Sequence, residues 1–386
     1  MMKELGQNPT AQPVHHLPRS EDFLLWPPCL QSYGYRIVDR LFATRRIAAG
    51  VATPLPRGRE VLDPDEVAAF MDHNNVAGLI ALHQGKIVLE RYGLGLGEHD
   101  RWSTMSTVKS MTAMLVGAAV QDGDIASIED PVTRYLPQLE GSAYAQVNVR
   151  HLMTMSSGVR WSENYGDKSS DVNRYSKSLA DKVPGGVLAL MRQLERSEPA
   201  GTCWRYNTGD TYLLGALISA TTEQSLADYM SQKIWKPAGM EADGFYTLES
   251  EGGQEIGGSR GGMVLRDFAR FALFMLGRGK AGSSRVVPEQ WIEAALTPAF
   301  RFPEGEPSYT RSLGVVAYGY SWWLDAHGGA FALGHCGQRI YVNRAEQFAL
   351  VQLAVYPEPQ FAPANNPDRD LKLVEFITQL RRRLSS

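Results

Sequence analysis

Ser103-Thr104-Met105-Ser106-Thr107-Val108-Lys109 opens the most apolar stretch of the chain. From Val108 to Val120 only Lys109, Ser110 and Thr112 are polar, and a helix that is apolar on all sides is a buried one. Lys109 has no acid three or four residues away, the nearest carboxylates being Asp100 and Asp122. An ammonium group stripped of water without a partner loses its proton more easily. Ser106 lies three residues earlier and shares a helical face with Lys109. A hydroxyl beside a neutral amine is the arrangement that activates a serine as nucleophile. Ser-x-x-Lys occurs once in the chain. So short a pattern also arises by chance, so its surroundings carry the decision.

At 386 residues the chain has room for two domains, or for one with a large insertion. With 44% hydrophobic and 21% charged residues it reads as a soluble globular protein. A net charge of −3 gives no field that would draw in nucleic acid or an anionic membrane. Arg381-Arg382-Arg383 is the one basic run, and it closes a terminal helix, where cations suit the dipole. Cys29, Cys203 and Cys336 form no CxxC pair and read as free thiols of a reducing compartment. Met1 to Pro18 is polar, so no signal peptide is expected, and Met111–Val120 is too short to cross a bilayer. A cytoplasmic location follows as the expectation. His15-His16 lies in that polar tail and is no metal motif; neither metal nor cofactor is expected.

Outward from the nucleophile, residues 1–60 read as an extended segment packed on the body through Phe23, Trp26 and Phe42. Asp63-Pro64 starts a helix. Gly78–Leu82 and Ile87–Tyr92 flank a Gln84-Gly85 turn as a hairpin. The Gly93-Leu94-Gly95-Leu96-Gly97 run lacks nucleotide-loop spacing. Helices are expected at Thr211–Ala220, Leu226–Ile234 and Val264–Leu276. Strands are expected at Tyr320–Leu324, Phe331–Leu333, Ile340–Val342 and Phe348–Val355. A last helix begins at Asn366-Pro367, with Leu373, Phe376, Ile377, Leu380 and Leu384 as its apolar stripe. The result is an α+β chain: one antiparallel β-sheet flanked by N- and C-terminal helices. Residues 61–110 and 255–386 form the sheet domain, and 111–254 an inserted, mainly helical one.

Two later stretches, Trp204-Arg205-Tyr206-Asn207-Thr208-Gly209-Asp210 and Gly334-His335-Cys336-Gly337-Gln338, follow the Ser-x-x-Lys helix in order. The chain thereby resembles the serine β-lactamase and penicillin-binding-protein superfamily over roughly residues 35–356. Phe42-Ala43-Thr44-Arg45, Pro54-Leu55-Pro56-Arg57-Gly58 and Leu152-Met153-Thr154-Met155-Ser156-Ser157-Gly158 bring it closest to 6-aminohexanoate-dimer hydrolases and family VIII esterases. Glu163-Asn164-Tyr165-Gly166-Asp167 points the same way. The resemblance implies that Ser106 attacks a carbonyl and becomes acylated, that Lys109 takes its proton, and that Tyr206 passes a proton to the leaving group. It further implies a Tyr206 pKa lowered beside Lys109, and an oxyanion hole from the N–H groups of Ser106 and Gln338. Tyr165, Thr208, His335 and Gly337 would contact substrate, the last two on a strand. Cys336 would be an inert strand residue facing away from the site.

Three positions depart from the family pattern. Thr208 stands where an Asn is common, His335 replaces a Lys and so carries no permanent charge, and no glutamate is assignable as a deacylating base. A small ester or amide therefore fits better than a β-lactam. Gly257-Gly258-Ser259-Arg260-Gly261 formally matches a G-x-S-x-G elbow, with His327 and His335 downstream. Such an elbow needs a buried strand before the serine, and Glu251–Ile256 is not one. The alternative from another class is a non-catalytic receptor or scaffold that uses the same pocket only for binding. Substrate identity and oligomeric state are not legible in the sequence.

Overall fold

The computed structural model describes residues 19–357 and 367–385. His15-His16 and Asn366 lie outside them. Among the described residues an eight-stranded antiparallel sheet forms the body. Its order is Lys86–Tyr92, Val76–His83, Phe348–Ala354, Gln338–Asn343, Gly329–Gly334, Trp323–Asp325, Val315–Tyr318 and Phe300–Arg301. Its first two strands come from before Ser106 and the other six from the C-terminal part of the chain. The pairing of Val351 with Ile80 ties the two together. The first hairpin turns through Gln84 and Gly85, both at positive φ (50° and 77°), as a two-residue turn between twisted strands requires.

Helix ends follow local chemistry. The Pro64–His73 helix starts in a capping box: the Asp63 carboxylate accepts from Asp65 N–H, and Glu66 reaches back to Asp63 N–H. The expected Leu226–Ile234 helix is α-helical only over Leu226–Met230, then widens into a π-helical turn, Ser231–Trp235. Between residue 123 and Gly244 the chain forms helices, 3-10 turns and that π-helical turn, and adds no strand to either sheet.

Several short strands had no signal in the sequence. Thr44–Ile47, Gly244–Thr247, Gly262–Met263 and Trp102–Ser103 make a second, four-stranded sheet. Two of its strands are only two residues long, too short to show a period. Over residues 20–41 the N-terminal segment is not extended as expected. It folds into short helical turns, Ser20–Leu25, Pro28–Gly34 and Val38–Leu41. The reason is the burial of Phe23, Trp26, Tyr35 and Phe42, which pack ring against ring. Among the described residues, no helix is long and apolar enough to cross a membrane.

The Val108–Asp122 helix crosses the centre of the molecule, buried from Val108 to Ala119. Gly117 lets it meet Trp291: a Cβ there would lie 2.5 Å from the indole ring, whose N–H donates to Ala113 O at 3.3 Å. Gly117→Ala should therefore lower stability by about 1–3 kcal/mol through overpacking, although alanine favours helix by up to about 1 kcal/mol. Urea unfolding measures this, and a stabilised variant would show that Trp291 yields without cost.

Candidate active site

The polar trio of the central helix is accounted for by one neighbouring segment and one turn. Lys109 Nζ donates to Gly258 O at 2.5 Å, Thr112 Oγ1 to Gly257 O at 2.7 Å, and Ser110 Oγ to Ser321 O at 2.6 Å. The Gly257-Gly258 pair comes this close because it has no side chains: a Cβ on Gly258 would lie 2.9 Å from Thr208 O. Ser259 is thus part of a glycine segment, and only turns and an isolated bridge separate it from the Gly244–Thr247 strand.

Ser106 sits in a 3-10 turn, Met105–Thr107, just before the α-helix begins. Met105 is held at φ 46°, a conformation disfavoured for its side chain and common beside reacting groups. Thr104 N–H donates to Gly261 O at 2.8 Å and Thr107 Oγ1 to Thr104 O at 2.7 Å, which fixes the turn. Lys109 Nζ lies 2.8 Å from Ser106 Oγ. The amine is 2% exposed, and burial pushes its pKa down to about 7; the Glu163 carboxylate pulls the other way and Arg260 adds to the drop.

The Tyr206 phenol is hydrogen-bonded to the Ser106 hydroxyl, so the serine stands between amine and phenol. Its ring stacks on Trp323 with centroids 5.6 Å apart. The next residue, Asn207, caps the Thr208–Thr222 helix by accepting from Asp210 N–H. One expectation is corrected here. Burial drives the Tyr206 pKa well above 10, with Tyr318 and Glu163 adding to the rise, so the phenol is neutral at physiological pH. A neutral phenol can donate a proton but is no phenolate base.

His335 also departs from the strand that the resemblance implied. His335–Gly337 is a tight turn at the tip of a hairpin, because Cys336 (φ 56°) and Gly337 (φ 95°) are left-handed. His335 Nε2 lies 2.9 Å from Leu24 O, and burial pushes the ring down to about 4, so it is neutral at pH 7. Gln338 opens the following strand. Its carboxamide accepts from Trp102 Nε1 and Ala354 N–H and donates to His335 O and Ala354 O, pinning the turn. Cys336 is buried in that turn, where Gln31 Nε2 donates to its Sγ at 3.4 Å.

Ser106, Tyr165, Thr208 and His335 line one cavity of about 20 Å³, together with Leu24, Ser259 and Arg260. That is room for roughly one water. Gln338 and Gly337 do not line it. The Tyr165 ring lies 4.5 Å from His335, and its hydroxyl donates to Glu163. Glu163 went unassigned in the sequence, although it stands two residues before Tyr165. Its carboxylate accepts from Tyr165 O–H, Trp161 Nε1, Thr208 N–H and Thr208 O–H, so both oxygens hold the pocket wall together. Leu24 had no local signal, since only the fold of the N-terminal segment brings it here.

The β-lactamase family model matches residues 65–374. The chain belongs to the β-lactamase family. It is 26% identical over 318 residues to the 6-aminohexanoate-dimer hydrolase of Paenarthrobacter ureafaciens, covering 80% of this chain and 78% of that one. A Bacillus anthracis structure provisionally named a 6-aminohexanoate-dimer hydrolase superposes with a TM-score of 0.81. The match covers 97% of this chain and 99% of that one, at 19% identity. A family VIII carboxylesterase superposes with a TM-score of 0.60 over 87% of this chain and 99% of its own, at 15% identity. Relatives named as hydrolase, esterase and D-aminopeptidase make this chain a serine hydrolase, which displaces the receptor or scaffold alternative.

The Lys109 amine loses its proton near pH 7, so a pH profile checks whether it acts as the base. Below about 7 Lys109 is protonated and cannot accept from Ser106; above it the lone pair is free. The kcat/KM for an uncharged ester should therefore rise with pH through an apparent pKa near 7 and level off above it. Buried Asp210, pushed up to about 7 by burial, titrates in the same range. The rise must therefore persist in Asp210→Asn. A flat profile from acid to alkaline pH would remove Lys109 from the base role.

Proposed function

We propose that this chain hydrolyses small esters or amides through an acyl-enzyme on Ser106. The observation that carries this is the 2.8 Å approach of a buried lysine amine to the serine hydroxyl, with the Tyr206 phenol on the same oxygen. Ser106 Oγ attacks the carbonyl carbon as its proton passes to the Lys109 lone pair. The C–O or C–N bond to the leaving group then breaks. Tyr206 gives its proton to the leaving alcohol or amine and is reprotonated from Lys109. Water repeats the sequence on the ester formed with Ser106 and releases the acid.

The developing oxyanion is met by backbone donors. One is the N–H of Ser106. The second is the N–H of Gln338, the first residue of the strand that follows the His335–Gly337 turn. Tyr165 and Thr208 form the substrate-facing wall that Glu163 braces. With both Glu163 oxygens already engaged, the site is better suited to esters and linear amides than to rapid β-lactam turnover. The name of the Paenarthrobacter relative makes a 6-aminohexanoate dimer the first amide to assay.

A fluorophosphonate should add one covalent label to the intact protein, read by mass, and p-nitrophenyl butyrate should be turned over. Ser106→Ala should abolish the label and lower kcat by at least about 10³-fold. Ser259→Ala should keep the label. A label that survives Ser106→Ala but not Ser259→Ala would move the nucleophile to the glycine segment.

A further inference from the structure

The small cavity accounts for one side of Ser106 only. Tyr206, whose phenol is bonded to the same hydroxyl, lies outside its lining, and the surface beyond Tyr206 is aromatic. The Tyr206 ring stacks on Trp323, and Trp204, Phe302, Tyr309 and Tyr318 gather about that same indole. Their ring centres lie 5.3, 6.2, 5.8 and 4.9 Å from it, in that order. Trp204 also meets Phe302 edge to face at 4.8 Å. Trp323 and Tyr318 are buried, whereas Trp204, Phe302 and Tyr309 are each partly exposed, as is Ser106 itself.

Distant parts of the chain deliver these rings. Phe302 follows the edge strand Phe300–Arg301, and its N–H donates to Val316 O at 2.9 Å. Tyr309 belongs to the 3-10 turn Ser308–Leu313. Trp204 comes from the loop before the Thr208–Thr222 helix, where Arg205 N–H donates to Met155 O at 2.7 Å. Apolar side chains exposed singly are ordinary, but a contiguous patch marks a binding site. This patch adjoins the reacting groups: Tyr309 is among the neighbours that add to the burial-driven rise of the Tyr206 pKa.

A proton passes from Tyr206 only to a heteroatom within hydrogen-bond reach of its hydroxyl, about 3 Å. The leaving oxygen or nitrogen therefore stands against Tyr206, and the group it carries meets the rings around Trp323. We propose that Trp204, Phe302 and Tyr309 form the subsite for the leaving group, so that the preferred esters or amides release an alcohol or amine with an aromatic ring close to the scissile bond. This deepens the reading above and rests on an acyl-enzyme at Ser106 with Tyr206 as proton donor. A ring held there gains apolar burial and edge-to-face contacts that a short alkyl group cannot make. The Ser20–Leu25 turn takes no part, since its Leu24 lines the small cavity instead.

The test compares benzyl butyrate with ethyl butyrate, whose alcohols are of similar acidity and whose acyl-enzymes are identical. The native protein should favour benzyl butyrate in kcat/KM on the order of tenfold to a hundredfold, the scale of burying one apolar ring. Phe302→Ala and Tyr309→Ala should each cut that preference severalfold. Neither should change the ratio between ethyl hexanoate and ethyl butyrate, which reports the acyl side. Absence of a native preference, or a loss that falls equally on both ratios, overturns the proposal. A second measurement needs no variant. An alcohol added to the butyryl-enzyme enters from the leaving-group side: its oxygen bonds to the acyl carbon, the bond to Ser106 Oγ breaks, and its proton ends on Ser106. With p-nitrophenyl butyrate as donor, benzyl alcohol should divert more acyl-enzyme from water than ethanol does at equal concentration. Equal diversion overturns the proposal even if both variants fail to fold. Should no ester react, the hydrolytic reading of Ser106 fails and p-nitrobenzyl alcohol decides the rest. Quenching of tryptophan fluorescence that weakens in Phe302→Ala keeps the aromatic site; equal quenching in both proteins overturns it.

Discussion

The loss of water around one amine governs the rest of this structure. Lys109 sits in the first turn of a helix buried along most of its length, with Gly258 O and Ser106 Oγ as its hydrogen-bonding neighbours. A charged ammonium there would be poorly solvated, and that penalty makes the amine a base near neutral pH. The Gly257-Gly258 segment supports this by bringing carbonyls to the helix where side chains would block them.

The pocket is a meeting of distant pieces. The helical region contributes Tyr165 and Thr208, and the sheet contributes the His335 turn. The small second sheet places Ser103 beside Gly262 and so sets the approach to Ser106. Within the helical wall Glu163 ties Tyr165 to Thr208 by accepting from the Tyr165 hydroxyl and from both donors of Thr208. A carboxylate saturated in this way is a brace for the cavity wall. Burial has the same levelling effect on Tyr206 and His335: it holds each in its neutral form, the phenol as a donor and the imidazole as an uncharged wall.

The parts legible in the sequence were those whose signal is local. Ser106 and Lys109 are three residues apart in an apolar run, and that spacing set them side by side before any fold was known. The helix start at Asp63-Pro64, the Gln84-Gly85 hairpin and the strands around Phe331, Ile340 and Phe348 were readable from their periods and turn residues. Order along the chain gave Tyr206 and His335 as candidates, through resemblance more than through chemistry.

Tertiary structure decided what depends on residues far apart. The sequence could not show that Leu24 would close the cavity, that His335 would lie on a turn, or that Tyr206 would lose its water and rise in pKa. It could not distinguish Arg260, which has no acid among the described residues, from Arg270 and Arg339, which have theirs. Local spacing determines which side chains share a helical face, and it set Ser106 beside Lys109. Desolvation and charge pairing are sums over all neighbours, and those exist only once the chain is folded.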